Sequence, residues 1–171
     1  LGFSLELISP ADIVSIKKKS VVFIPGVGHM RSLYNELKIN DGIRRLHAYH
    51  YELNLTYVGI CLGFQLMCQS SNEANDLELL SLFPSSISAI DSPPVPNVGW
   101  YDIFFDFPIS HNISNELASS RFASFYFTHS YSAGYQDLFS KQSEAKFDMI
   151  LYRDSLQRKI VAGIISERLY G

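Results

Sequence analysis

Apolar and polar positions along the 171-residue chain fall into two textures. Up to about Asn72, short continuous apolar runs alternate with stretches in which apolar residues recur every three or four positions; beyond it only short runs remain, separated by Ser, Asn, Asp and Pro. Residues 5–8 are a short apolar run followed by Ser9-Pro10-Ala11-Asp12. Here Ser9 suits an N-cap, Pro10 the first helical position and Asp12 the acid of a capping box, so a strand leading into a short helix is expected. Val21-Val22-Phe23-Ile24 is continuous and β-branched, the pattern of a strand buried on both faces, and Pro25-Gly26-Val27-Gly28 ends it abruptly. Residues 29–50 read as one helix with Leu33, Leu37, Ile43 and Leu46 on its apolar face. Tyr57-Val58-Gly59-Ile60 reads as a second buried strand, and residues 62–69, apolar all round, as a core helix. Strand, helix, strand, helix predicts a parallel α/β sheet.

The later strand candidates are residues 87–90, 101–107, 124–131, 147–152 and 160–165, a series that suits antiparallel or mixed pairing better than a doubly wound sheet. Aromatic residues concentrate there, in Trp100-Tyr101-Asp102-Ile103-Phe104-Phe105-Asp106-Phe107 and in Phe125-Tyr126-Phe127. Packing of a sheet is the plain reading of these rings; stacking on a ligand is the other.

Composition narrows the function classes. With 47% hydrophobic and 18% charged residues, the chain buries enough apolar surface to fold, which excludes disorder as its main state. At this length it is expected to be a single domain over residues 1–171. Lys and Arg number 14 against 17 Asp and Glu, so the basic excess of a nucleic-acid binder is missing. No stretch approaches the roughly 20 apolar residues of a membrane span, and no signal peptide opens the chain. Two cysteines, Cys61 and Cys68, are too few for a disulfide framework and lack metal-ligand spacing. A cytoplasmic protein without metal or cofactor is expected, with no nucleic-acid or membrane partner.

The sharpest chemical signal is Gly59-Ile60-Cys61-Leu62-Gly63, between a buried strand and a helix. Small residues on both sides of a nucleophile mark a nucleophile elbow, where the nucleophile sits on a strained turn. Cys61 would stand at the carboxyl end of a strand, the edge where open α/β sheets hold their sites. The following helix favours a thiolate there, and the N–H of Leu62 faces the oxygen of a tetrahedral intermediate. An inert core cysteine is the competing reading. Pro25-Gly26-Val27-Gly28 is either a simple turn or a neighbour of the elbow that supplies a second oxyanion donor. Thr128-His129-Ser130-Tyr131 ends an aromatic strand with four hydrogen-bonding side chains, and His129 there is either satisfied structurally or part of a site. Cys68 reads as core packing. His29, His47, His50 and His111 sit in polar helix or loop settings without metal spacing.

Four segments in order carry a family resemblance: Phe23-Ile24-Pro25-Gly26-Val27-Gly28-His29; Gly59-Ile60-Cys61-Leu62-Gly63-Phe64-Gln65-Leu66-Met67; Pro96-Asn97-Val98-Gly99-Trp100; and Tyr126-Phe127-Thr128-His129-Ser130-Tyr131. Together the sequence resembles the class I glutamine amidotransferases, and within them the glutaminase subunits of imidazole glycerol phosphate synthases. The resemblance implies a flavodoxin-like α/β fold with a mixed sheet. It further implies hydrolysis of glutamine to glutamate and ammonia by a Cys-His-Glu triad, in histidine biosynthesis. Cys61 matches the nucleophile that forms a glutamyl thioester. Val27 and Leu62 match the backbone donors of the oxyanion hole, and Gly28, Gln65, His129, Ser130 and Tyr131 match positions around bound glutamine. Ammonia passes to a (β/α)₈-barrel cyclase or synthase subunit, and Pro96, Gly99 and Trp100 belong to the side that docks it.

Two departures qualify this. The family's docking segment reads Pro-His-Met-Gly-Trp-Asn where this chain has Pro96-Asn97-Val98-Gly99-Trp100-Tyr101, so a changed partner surface is expected, as in a paralogue serving a surface-sugar amidination enzyme. The family's catalytic His and Glu follow a strand pair that residues 160–171 resemble, and residues 1–3 resemble the end of its first helix. Both ends are therefore expected to be incomplete, with about 20 residues before Leu1 and several tens after Gly171, and with Leu1 to Gly171 alone unstable. The alternatives are a catalytically dead module that keeps the fold and docking surface, and an unrelated cysteine hydrolase.

Overall fold

A computed structural model describes residues 4–75, 77–91, 94–105, 124–145 and 147–171, the last four residues of the 124–145 stretch by backbone alone. Residues 106–107 of one strand candidate and His111 lie outside the described residues. The strands are β1 (Val21–Ile24), β2 (Thr56–Gly59), β3 (Ser70–Ser71), β4 (Leu77–Glu78), β5 (Ser86–Ala89), β6 (Asn97–Asp102) and β7 (Phe104–Phe105). They continue with β8 (Ser124–His129), β9 (Tyr131–Ala133), β10 (Asp148–Arg153), β11 (Lys159–Ile165) and β12 (Leu169–Tyr170). The helices are α1 (Met30–Lys38), α2 (Gly42–Glu52), α3 (Leu62–Met67) and α4 (Tyr135–Ala145), preceded by a 3₁₀ turn over Pro10–Ser15.

The main sheet runs β1-β2-β12-β11-β10-β7, parallel across its first three strands and antiparallel across the rest. A four-stranded sheet, β4-β3-β5-β9, and the β6-β8 pair complete a mixed α/β architecture. Parallel strands followed by helices, then antiparallel pairs, is the succession the hydrophobic pattern predicts. Between β10 and β11 the register shifts at Ile150/Leu151, which pair with Gly163 and Val161 and leave Ala162 as the extra residue of a bulge. Such a bulge re-aims the side chains of its strand.

Five expectations are corrected. Residues 5–8 form no strand, and Leu5 and Leu7 are exposed; a short apolar run without a paired neighbour has no ladder to join. Ser9 does precede the first helical turn with Pro10 inside it, but its hydroxyl bonds the Asp12 carboxylate (2.6 Å) instead of a backbone N–H. β1 is an edge strand with one covered face: Val22 and Ile24 pack against the core, whereas Val21 and Phe23 are 56% and 63% exposed. The single helix over residues 29–50 is two, because Asn40-Asp41-Gly42 is turn chemistry and Asp41 takes a left-handed conformation (φ 54°) between α1 and α2. Leu37 and Leu46 are nonetheless buried, with Leu33 and Ile43 packed beside them. Finally, His50 is buried, its Nδ1 3.2 Å from the Leu55 carbonyl and its ring stacked on Tyr57. Burial and the nearby Arg168 cation lower its pKa.

Candidate functional site

The site is built where β2 meets α3. Cys61 caps α3 with φ 54° and ψ −111°, a conformation that costs an L-residue about 1–3 kcal/mol. Three glycines allow the surrounding backbone to close on it. A Cβ at Gly63 would run into the carbonyl oxygen of Ile24, and one at Gly26 into Leu62, including its backbone nitrogen. At Gly59 a Cβ would stand 2.7 Å from both Met67 Sδ and Phe64 N. The glycine-rich loop and the elbow are thus in contact, through Gly26. The thiol of Cys61 is exposed, whereas Cys68, at the other end of α3, is fully buried and its thiol pKa is pushed well above the usual range by that burial.

Cys61 opens onto a cavity of about 370 Å³ walled by α3, β8, β9 and the bulge of β11. Gln65, His129 and Tyr131 line it, joined by Thr128 and Ser132, while Val27, Gly28 and Ser130 do not. Val27 is almost fully solvent-exposed, and the carbonyl of Ser130 accepts the N–H of Ile90. Among the described residues no carboxylate or cationic side chain lines the cavity. Gln65 is buried, yet its Oε1 has no hydrogen-bond partner, and an unsatisfied buried acceptor costs about 1–3 kcal/mol.

His129 is held on both sides. Its Nδ1 lies 2.8 Å from the Tyr131 carbonyl and its Nε2 2.7 Å from the Tyr152 hydroxyl, and burial lowers its pKa, partly offset by the carbonyl. Tyr152 Oη also accepts from Asn97 Nδ2 (2.6 Å), and Tyr101 Oη donates to Asn97 Oδ1 (2.8 Å). Sequence reasoning found His129 but missed Tyr152 and Ser132, which no local motif marks; both are fixed by the β5-β9 and β10-β11 pairings.

Along β6 burial alternates strictly. Asn97, Gly99 and Tyr101 face inward, while Val98, Trp100 and Asp102 face out. The two departures at Asn97 and Tyr101 therefore lie on the inward face of β6 and are bonded to each other. Pro96 and Trp100 are on the outside, Trp100 at 72% exposure with its ring 5.7 Å from that of Tyr126.

No family model matches the chain. It is 34% identical over 138 residues to the imidazole glycerol phosphate synthase subunit HisH of Buchnera aphidicola (77% of this chain, 63% of that one). To the HisH subunit of Thermotoga maritima it is 33% identical over 115 residues (66% and 50%), and to that of Staphylococcus epidermidis 30% over 137 (78% and 61%). The chain is similar to HisH subunits. It spans between half and two-thirds of the length of these HisH subunits. The resemblance to class I glutamine amidotransferases, and among them to HisH, holds, and the mixed α/β architecture is consistent with their flavodoxin-like fold. Among the described residues no helix is long and apolar enough to cross a membrane, and no group of His, Cys, Asp and Glu is placed to hold a metal ion.

Proposed function

We propose that the chain belongs to a cytoplasmic glutaminase subunit of an imidazole glycerol phosphate synthase. In this reading the Cys61 thiolate attacks the carboxamide carbon of glutamine. The tetrahedral oxyanion collapses as the leaving nitrogen takes up a proton and departs as ammonia, and water then hydrolyses the thioester, releasing glutamate and the free Cys61 thiol. The observation that carries the reading is the strained, exposed Cys61 at the mouth of an uncharged cavity in which Gln65 Oε1 is buried without a donor. A ligand N–H entering the cavity would satisfy that oxygen. The N–H of Leu62 is the oxyanion donor next to the nucleophile, and Val27 is the proposed second donor, brought in by rotation of the loop that Gly26 anchors. His129 and Tyr131, on the cavity wall, complete the proposed surroundings of the substrate, with Gly28 and Ser130 proposed beside it though outside that wall.

His129 is not the base. A carbonyl oxygen only accepts, so Nδ1 carries the ring proton and Nε2 already takes the Tyr152 hydroxyl. The resemblance assigns the base to a His-Pro-Glu segment, a motif these 171 residues do not contain, so the reading is tested on the full gene product: glutamate release from glutamine, followed with and without the (β/α)₈ cyclase of the same organism. Glutamine left intact under both conditions would overturn it.

For the partner, the exposed Trp100, with Tyr126, Pro96 and Gly99 around it, is the proposed docking face, since large exposed aromatics dominate interface energetics. Trp100→Ala is expected to weaken cyclase binding by about 30-fold or more, corresponding to about 2 kcal/mol, as measured by titration calorimetry. Unchanged affinity would remove the β6-β8 pair from the interface.

A further inference from the structure

The four side chains behind the cavity wall allow only one ordering of protons when His129 is neutral. The Tyr131 carbonyl needs a donor, so Nδ1 is protonated; Nε2 then accepts, and Tyr152 donates to it. With its single proton so placed, Tyr152 Oη accepts from the Asn97 amide, which turns Asn97 Oδ1 toward the Tyr101 hydroxyl. The chain runs from Tyr101 through Asn97 and Tyr152 to His129 without an ambiguous link. A second proton on His129 reverses it: Nε2–H would donate to Tyr152, whose own proton would have to find Asn97 Oδ1. That requires the amide of Asn97, 5% exposed, to turn over among packed rings.

We propose that Asn97 is a positioning residue: through Tyr152 it holds His129 as the neutral Nδ1–H ring and so keeps the wall of the Cys61 cavity uncharged. Asn97 and Tyr101 lie on β6, Tyr152 on β10 and His129 at the end of β8. One proton chain thus ties the β6-β8 pair to the main sheet at the cavity. The titratable groups facing His129 are Tyr152 from β10 and Tyr131 from β9, with Tyr101 of β6 behind Tyr152, Cys61 across the cavity, and Asp154 acting on Tyr152. None supplies a counter-charge within the wall, so a charged His129 would stand alone there.

The consequence for catalysis rests on the proposed glutaminase reading; the consequence for the ring does not. In the full gene product, nitrogen-15 imidazole spectra of His129 at pH 7 should show the neutral Nδ1–H form, and an imidazolium would overturn the proposal. Asn97→Asp offers only acceptors at this position and draws the protons of Tyr101 and Tyr152, leaving Tyr152 Oη to accept from Nε2–H. His129 is expected to be an imidazolium at pH 7 in that variant, and a neutral ring would overturn the proposal. Tyr152→Phe, which removes one oxygen, should raise the proton affinity of His129 at least tenfold and raise the KM for glutamine about tenfold with kcat within threefold. A merely structural role would lower the Tm of both variants and leave the ring's protonation unchanged, which also overturns the proposal. If wild type hydrolyses no glutamine, the glutaminase reading fails, and the spectra still decide the role of Asn97.

Discussion

Cys61→Ala in the full gene product is expected to lower glutamine hydrolysis by roughly four orders of magnitude or more, the usual consequence of deleting a covalent nucleophile. Cys68→Ala should leave turnover within about twofold and cost stability by about 1 kcal/mol, since it removes one buried sulfur from the core. The two thiols differ in every respect that governs reactivity. Cys61 is exposed on a strained turn at the cavity mouth; Cys68 is fully buried, its thiol pKa driven up by desolvation and its sulfur 3.7 Å from the Phe64 carbonyl. Alkylation of the native protein followed by peptide mass mapping should therefore label Cys61 alone. Equal labelling, or equal loss of turnover in the two variants, would contradict the assignment.

The second large effect concerns the backbone around that turn. Gly63→Ala places a methyl group against the carbonyl of Ile24, a backbone atom in an edge strand that cannot swing aside as a side chain can. A loss of about 3 kcal/mol or more is expected, read as a fall in the denaturant midpoint at unchanged m-value. Gly28→Ala is the control. Its Cβ meets nothing within 4 Å, and the cost is confined to the positive φ of 109°, about 1 kcal/mol. If the two variants were equally stable, close packing of β1 against α3 would not be what the elbow glycines serve.

How far the chain could be read from its letters depended on whether the information was local. Pro25-Gly26-Val27-Gly28 and Gly59-Ile60-Cys61-Leu62-Gly63 are local punctuation, and their contact follows once two parallel strands are recognised, since both loops then emerge at the same edge. The burial of α3 was legible in its apolar residues. The break at Asp41 was overlooked because the 3.6-residue periodicity continues across it; only the Asn-Asp-Gly turn chemistry interrupts the pattern. The exposed face of β1 was illegible for a different reason: a β-branched run looks the same whether its neighbours cover one face or two. At the site, Asn97 and Tyr101 read as surface substitutions when taken as letters. The period of two in β6 turns both inward, and their partner Tyr152 lies some fifty residues further on. Pairings of that separation are set by the sheet, and no window of sequence contains them.

The seat of β12 bears on how this polypeptide is made. Leu169–Tyr170 lies between β2 and β11, with Leu169 beside Tyr57, the Tyr57 N–H donating to the Arg168 carbonyl, and the Arg168 guanidinium reaching the carbonyls of His50 and Leu55. On the ribosome, β1 and β2 emerge first and pair with each other, and the β10-β11 hairpin forms much later. The two halves have no common edge until residues 169 and 170 have left the exit tunnel. Vectorial folding in the order of synthesis is thus closed to the main sheet. The nascent chain must carry the open side of β2, with Tyr57 uncovered, through more than a hundred codons, and an unpaired apolar edge of that lifetime is the kind of surface that trigger-factor-like chaperones shield.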